Sequence, residues 1–170
     1  MQLVAFLFLL GVSPAGAQAP DPSQLIEFRM KDQFKNEHTD EPYRTGVVLL
    51  IGSDKGGSEY NTRWGEAIHN RMLGVPGMDD IKILAVADVR GVPFFMKGYV
   101  RGKFPKEPEK WALTDWKGRF AQTYHWEKDS SNIMVFVDGE LRLKVAAREV
   151  ESEIMGQVVE SLREALAGRP

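Results

Sequence analysis

The chain has 170 residues, a net charge of −2, a pI near 6.0 and no cysteine. This length fits one domain with an ordinary apolar core, and the charge gives no electrostatic reason to expect nucleic acid or an anionic membrane surface as a partner. The absence of cysteine excludes disulfides, thiolate nucleophiles, thiolate metal sites and lipid attachment through sulfur.

The first residues resemble an export signal. The apolar run Leu3–Val12 is shorter than the roughly 20 residues that cross a bilayer, and the small residues Ala15–Ala17 follow it. We therefore predict a signal peptide over residues 1–17, cleaved after Ala17, and location in a bacterial periplasm. A buried N-terminal helix is the alternative, because no Lys or Arg precedes the apolar run. No later apolar run is long enough for a membrane span, so we expect none in the mature chain.

Strand patterns dominate the first part of the predicted mature chain. Residues 18–24 contain two prolines and predict an extended linker before a single domain over residues 25–168. Leu25–Met30 predicts a first strand. After a polar stretch, Val47–Ile51 is a continuous aliphatic run beside glycines, which is typical of a strand buried on both faces.

A helix and a second core strand are predicted next. Ser58 is a candidate N-cap and Gly74 a candidate stop for a helix between them. The strand Ile81–Ala87 follows, and the order strand, helix, strand with short connections predicts a right-handed parallel unit. The helix is marked by apolar residues at spacings of three and four, namely Trp64, Ala67, Ile68 and Met72.

The second half alternates short elements before a long terminal helix. We predict a short helix within Val92–Phe104, a short strand at Trp111–Thr114 and one or two helical turns within Lys117–Trp126. Apolar residues recurring every fourth position from Val150 to Leu166 predict an amphipathic helix.

A hairpin signal completes the fold prediction. Asp138-Gly139 separates the apolar run Ile133–Val137 from the strand-like segment Glu140–Val145, and this dipeptide favours the positive φ angles of a tight hairpin turn. Parallel strands, then an antiparallel hairpin, then a closing helix predict an α/β sandwich with a mixed central sheet.

Three segments, in order, resemble the thioredoxin/peroxiredoxin superfamily. Phe28–Gln33 resembles the F-x-L-x-D-Q opening of peroxiredoxin-type proteins, Asp115–Tyr124 their D-x-x-G-x-F/V-A-x-x-Y helix, and Ile133–Glu140 their F-V/I-D-x-G hairpin. The resemblance implies a thioredoxin-like three-layer sandwich with helices on both faces of the sheet. Within the superfamily, the chain most resembles exported YtfJ-type periplasmic proteins, which share the run Asp129–Ser131 and lack a working redox motif.

The departures from this superfamily define the candidate site. The resemblance implies that Lys55–Ser58 stands where redox-active relatives carry C-x-x-C, and that Ser131 stands where they carry a cis-proline. A non-proline cis bond costs about 2.5–4 kcal/mol, so we predict a trans bond before Ser131. The candidate binding surface, a degenerate redox site, therefore comprises Asp54, Lys55, Gly56, Gly57, Ser58 and Ser131.

Each of these residues also has a structural interpretation. Lys55 with the amides of Gly56 and Gly57 could hold an anion at the helix terminus, or it could be an exposed lysine in a glycine-rich turn. Ser58 could be a nucleophile, but a helix cap explains it better because no histidine is close in sequence. Gly52–Ser58 has the glycine spacing of a phosphate-binding loop but lacks its Lys-Ser/Thr pair, so nucleotide binding is rejected.

No metal or cofactor is expected, and the aromatic residues are open to two interpretations. Glu66 and His69 have a metal-like spacing in a single copy, which is insufficient for a carboxylate-bridged site. Aromatic residues crowd the stretch Trp111–Trp126, where they either fill the core or mark a protein contact.

Two functional hypotheses follow. The leading one is a non-catalytic binding or adaptor module that engages a periplasmic protein, a peptide or a small anion. The alternative is a non-thiol enzyme, hydrolase-like or other, in which His38 or His125 pairs with a carboxylate in a cleft near the same site. Redox activity through a partner's thiols is a third possibility, but no residue here could carry the electrons.

Overall fold

A mixed sheet of five strands organises the protein, as seen in a computed structural model that describes residues 19–168. The predicted signal peptide lies outside the described residues. The strands are β1 (Arg29–Lys31), β2 (Glu37–Thr39), β3 (Val47–Ser53), β4 (Lys82–Asp88), β5 (Leu113–Asp115), β6 (Ser131–Val137) and β7 (Glu140–Ala147). The α-helices are α1 (Ser58–Met72), α2 (Lys97–Arg101), α3 (Arg119–Thr123) and α4 (Ser152–Ala167).

The sheet has the order β5-β4-β3-β6-β7, and the small β1-β2 pair is separate from it. β3 is parallel to β4, with Leu50 opposite Leu84, and antiparallel to β6, with Leu49 opposite Val135. The parallel strand–helix–strand unit is therefore confirmed. So is the β6-β7 hairpin, whose turn residues Asp138 and Gly139 have φ of 50° and 83°.

The two faces of the sheet bury two separate apolar clusters. Every residue of β3 is buried, and its side chains alternate between the clusters. Val47, Leu49 and Ile51 pack with α1 and α4 on one face, whereas Val48 and Leu50 pack with α3 and the N-terminal segment on the other. The predicted α/β sandwich, a mixed sheet with helices on both faces, is confirmed.

The N-terminal segment differs from its prediction. The strand expected over Leu25–Met30 begins only at Arg29, because Leu25, Ile26 and Phe28 use their side chains to cover the second face of the sheet. The expected extended linker also contains a turn, in which the Gln24 amide donates to the Asp21 carbonyl at 3.1 Å. This turn is fastened to the β6-β7 hairpin through hydrogen bonds at Ser23 and Leu25.

The boundaries of two helical regions are also corrected. The helix predicted within Val92–Phe104 is a 3-10 turn, Phe94–Met96, followed by α2. The terminal helix begins at Ser152, so the exposed Val150 precedes it.

In the described part of the chain, no helix combines the length and apolar character needed to cross a membrane.

The Tyr124 hydroxyl joins the N-terminal segment to the core. It donates to the Gln24 carbonyl at 2.7 Å and accepts from the Ile26 amide at 2.9 Å, and the ring is buried. Burial raises the pKa of this hydroxyl, so it stays protonated and able to donate at ordinary pH.

Replacing Tyr124 with Phe should lower the free energy of unfolding by about 2 kcal/mol, because two backbone groups lose their partner. Urea unfolding at pH 7 measures this loss. Tyr43→Phe is the matched control, because the half-buried Tyr43 hydroxyl makes no hydrogen bond within residues 19–168. An equal loss in both variants would contradict this role for Tyr124.

Candidate functional site

The loop Asp54–Gly57 lies at the carboxyl end of β3 and leads directly into α1. One Asp54 carboxylate oxygen accepts from the Gly57 amide at 3.0 Å, and both accept from the Asp129 amide at 3.2 Å. Asp54 thus closes its own loop and ties it to the segment before β6. Its carboxylate is engaged by the protein itself, so Asp54 acts as a positioning residue.

Three glycines let the segment Trp126–Ser130 lie directly on this loop. A Cβ atom at Gly52 would overlap the Trp126 ring, and one at Gly56 would overlap the Asp129 carboxylate. At Gly57 a Cβ would lie 2.6 Å from the Ser130 carbonyl carbon, far inside van der Waals contact. The glycine spacing that partly matches a phosphate-binding loop is therefore explained by close packing within the chain.

The prediction that Ser58 caps α1 was wrong. Ser58 is the first residue of the helix and Gly57 occupies the cap position. The Ser58 hydroxyl donates to the Lys55 carbonyl at 2.9 Å, which directs it back toward the loop instead of toward a free helical amide. The stop is confirmed, since the helix ends at Met72 and Gly74 has φ of 79°.

Ser131 lies beneath the candidate surface, not on it. The residue is 0% exposed, and its hydroxyl donates to the Asn61 side-chain oxygen at 2.5 Å. The Asn61 amide group donates in turn to the Ser53 hydroxyl at 2.9 Å, so α1 is bonded to both β3 and β6. The bond before Ser131 is trans, as predicted.

The surface that remains accessible is small and carries charges of both signs. Lys55, Gly56 and Ser58 are exposed, and so is Lys128, which sequence reasoning did not identify. Neither lysine forms an ion pair with any residue between 19 and 168. We call these four residues the loop surface. The exposed carboxylates of Glu59 and Glu127 are adjacent in sequence to it.

One histidine does pair with a carboxylate, but far from the loop surface. His38 Nε2 lies 3.0 Å from Asp32 Oδ2, and the His38 ring stacks on Trp111 at 4.2 Å between ring centroids. Asp32 bridges to Leu113 on the outer side of β5, about three strand spacings or 14 Å from β3. The expected position near the loop was wrong. His69 and His125 are both exposed.

The Asp32 carboxylate should make part of the protein's stability depend on pH. Burial by itself would raise its pKa, but hydrogen bonds from His38 and Asn36 outweigh burial and hold the pKa below its ordinary value. The carboxylate therefore contributes stability above about pH 3.9. That contribution is lost as the pH falls through the lower, folded-state pKa.

Asp32→Asn should therefore lower the free energy of unfolding by about 2 kcal/mol at pH 7. The difference from the wild type should shrink as the pH falls from 4 toward 2. Urea unfolding across this range measures it. A difference that stays constant with pH would show that the charge of Asp32 does not matter.

Two more buried carboxylates lie at the carboxyl ends of β4 and β5. Asp88 and Asp115 are paired in register, and Asp88 bonds to Arg90 at 2.7 Å. Burial raises the pKa of Asp115, although its carboxylate accepts from the Phe120 amide at 2.9 Å. Asp115 thus shapes the entry into α3.

Within residues 19–168, no three His, Asp or Glu side chains are grouped closely enough to hold a metal ion.

The aromatic stretch belongs mainly to the core. Tyr124 is buried, and Trp111 and Trp126 are partly buried against the cluster on the second face. Trp116 differs, because Lys97 and Arg101 lie over its ring at 4.8 and 5.2 Å from the centroid. The interpretation of the aromatic stretch as core is confirmed for Trp111, Tyr124 and Trp126.

Solved structures with similar folds are named for thiol chemistry. The exposed lipoprotein thioredoxin of Streptococcus pneumoniae has a TM-score of 0.53 and 14% identity, over 79% of this chain and 98% of its own. A Chlorobium tepidum protein described as the thiol:disulfide interchange protein DsbE has a TM-score of 0.59 and 13% identity, over 88% of this chain and 99% of its own. A thiol peroxidase from Chromobacterium violaceum has a TM-score of 0.54 and 12% identity, over 85% of this chain and 87% of its own.

The chain has a thioredoxin-like fold. No protein-family model and no curated protein matches the sequence. The thioredoxin-like neighbours are identified by fold alone, since their identities are too low to carry an activity across. Their names nevertheless define a sharp contrast, because this thioredoxin-like chain contains no sulfur nucleophile at all.

Proposed function

We propose that this chain is a non-redox binding or adaptor module of the periplasm, related to YtfJ-type proteins. The observation that supports it is the loop surface, an exposed helix start on a thioredoxin-like scaffold with lysine and serine where thiols would react. Its ligand would be a protein, a peptide or a small anion. The proposal includes export, with cleavage of the signal peptide after Ala17.

The loop surface is suited to binding for two physical reasons. Its backbone is held rigidly by Asp54 and by the segment Trp126–Ser130, so little ordering is required when a ligand binds. Lys55 and Lys128 carry free positive charge beside the positive end of the 15-residue helix α1. An anionic group on the ligand would be attracted to the two lysines, and a basic group on it to the neighbouring Glu59 and Glu127.

Site-specific crosslinking in living cells tests the proposed surface. A photoreactive amino acid placed at Ser58 should form a discrete crosslinked species, whereas the same group at the exposed Lys31 on β1 should not. Lys55→Glu/Lys128→Glu should abolish the species, and Lys31→Glu/Lys35→Glu should leave it unchanged. Identical crosslinking from both positions would remove the loop surface as the binding site.

Mass spectrometry of the secreted form tests export separately. We expect the chain in the periplasmic fraction with Gln18 as its first residue. Recovery of the full-length chain in the cytoplasm would refute export and support the alternative of a retained N-terminal segment.

The second candidate function is an enzyme with acid–base chemistry, and the His38–Asp32 pair favours it. A histidine oriented by a buried carboxylate can act as a general base. However, the ring is stacked on Trp111, and Asp32 also accepts from Asn36. A broad screen of ester and phosphoester substrates tests this candidate, since activity that disappears in His38→Gln would establish it.

A further inference from the structure

An exposed aromatic segment lies between β4 and β5, apart from the loop surface. Phe94, Phe95 and Tyr99 are 82%, 77% and 62% exposed, and they lie on a 3-10 turn and the adjoining helix α2. We propose that this segment docks the protein onto an anionic lipid bilayer. We call it the aromatic tip. The proposal does not rest on the proposed function, which uses other residues.

The sequence that carries the aromatic tip is basic between the flanking Asp88 and Glu107. Residues 89–106 contain five Lys or Arg and no Asp or Glu, in a chain with a net charge of −2, so the rest of the chain carries −7. Such a separation orients a molecule with its basic side toward an anionic surface. The five cationic residues are Arg90, Lys97, Arg101, Lys103 and Lys106.

Most of these cations are held beside aromatic rings and not beside carboxylates. Lys97 and Arg101 lie over the Trp116 ring, and Lys103 lies 4.9 Å from the centroid of the Tyr99 ring. In the described part of the chain, neither these three nor Lys106 forms an ion pair, whereas Arg90 is paired with Asp88. Four positive charges in this part of the chain therefore have no carboxylate partner, and those of Lys103 and Lys106 are exposed.

The combination favours a bilayer over a protein partner. Adjacent phenylalanines that project from the surface can enter the boundary between headgroups and acyl chains, which requires no matching pocket. The Tyr99 hydroxyl and the lysine ammonium groups can then remain at the level of the headgroups. An acidic protein would need a cavity shaped for both rings. The expected attachment is peripheral and reversible.

Sedimentation with lipid vesicles tests the proposal. The full chain should bind vesicles of phosphatidylcholine and phosphatidylglycerol (7:3) at 50 mM salt, and should bind pure phosphatidylcholine vesicles far less. Phe94→Ser/Phe95→Ser should lower the partition coefficient more than tenfold. Lys97→Gln/Lys103→Gln should lower it about fivefold for each charge removed and weaken its salt dependence.

A matched control uses two exposed apolar residues elsewhere on the surface. Leu73 and Ile83 are 60% and 53% exposed, and Leu73→Ser/Ile83→Ser should bind vesicles like the wild type. Circular dichroism melting should show all variants folded, because Lys97 is only partly buried against Trp116 and the other altered side chains are exposed.

Three results would overturn the proposal. The first is failure of the wild type to bind anionic vesicles, and the second is equal loss of binding in the Leu73/Ile83 control. The third is a dimer, seen by sedimentation velocity and lost in Phe94→Ser/Phe95→Ser, because it would assign the aromatic tip to a second copy of the chain.

Discussion

Gly57→Ala is expected to lower the free energy of unfolding by about 3 kcal/mol. The new Cβ would lie 2.6 Å from the Ser130 carbonyl carbon and 2.8 Å from the Ser53 Cβ. To remove this overlap, the backbone before β6 would have to shift, because the Ser130 carbonyl cannot rotate away without moving the chain. Overpacking of this kind costs about 1–3 kcal/mol, and more where the backbone must shift. Urea unfolding at pH 7 measures the loss.

Gly156→Ala provides the matched control for this substitution. Gly156 lies inside α4, and a Cβ there would meet no atom within 4 Å. The substitution should raise the free energy of unfolding by about 0.5–1 kcal/mol, because alanine loses less conformational freedom than glycine when a helix forms. A gain in stability at Gly57, like the one expected at Gly156, or a loss well below 1 kcal/mol, would show that the contact with Ser130 is not close.

Asn61→Leu is also expected to lower the free energy of unfolding by about 3 kcal/mol, but for a different reason. The Asn61 side chain is the partner of two buried hydroxyls, those of Ser53 and Ser131, which are 2% and 0% exposed. A leucine leaves both without a hydrogen bond, and each unpaired buried group costs about 1–3 kcal/mol. Chemical denaturation at pH 7 measures the effect.

A triple variant separates hydrogen bonding from packing at this position. Ser53→Ala/Asn61→Leu/Ser131→Ala removes the unpaired hydroxyls together with their partner, and should recover to within about 1 kcal/mol of the wild type. If the triple variant is as unstable as Asn61→Leu alone, the loss comes from the shape of leucine and the hydrogen-bond account is wrong.

The elements predicted successfully are those whose signal is local and strong. Val47–Ile51 is apolar without interruption because β3 is covered on both faces. Asp138-Gly139 marks its hairpin because both residues adopt positive φ. The β1-β2 pair was not predicted, since Glu37–Thr39 is polar and the turn before it depends on Lys35 at φ of 75° and on Asp32 hydrogen bonds.

The loop that carries the candidate site could be placed from the sequence, but the contacts of its residues could not. Its position follows β3, which the apolar run marks clearly. The hydroxyl of the buried Ser131 bonds to Asn61, a residue 70 positions away, and the hydrogen bond of Ser58 depends on the path of the preceding loop. Likewise, a net charge of −2 conceals the basic segment 89–106 because the compensating carboxylates lie elsewhere.

A double variant, Lys55→Cys/Ser58→Cys, tests most directly whether this loop places residues 55 and 58 close enough for two thiols to form a disulfide under mild oxidation. The Ser58 hydroxyl already points to the Lys55 carbonyl, so a sulfur at position 58 would lie close to residue 55. We predict a reversible intramolecular disulfide in the folded protein, detected by thiol counting and mass, with the wild type inactive in insulin reduction. Two thiols that stay free under mild oxidation, in a folded variant, would contradict the account.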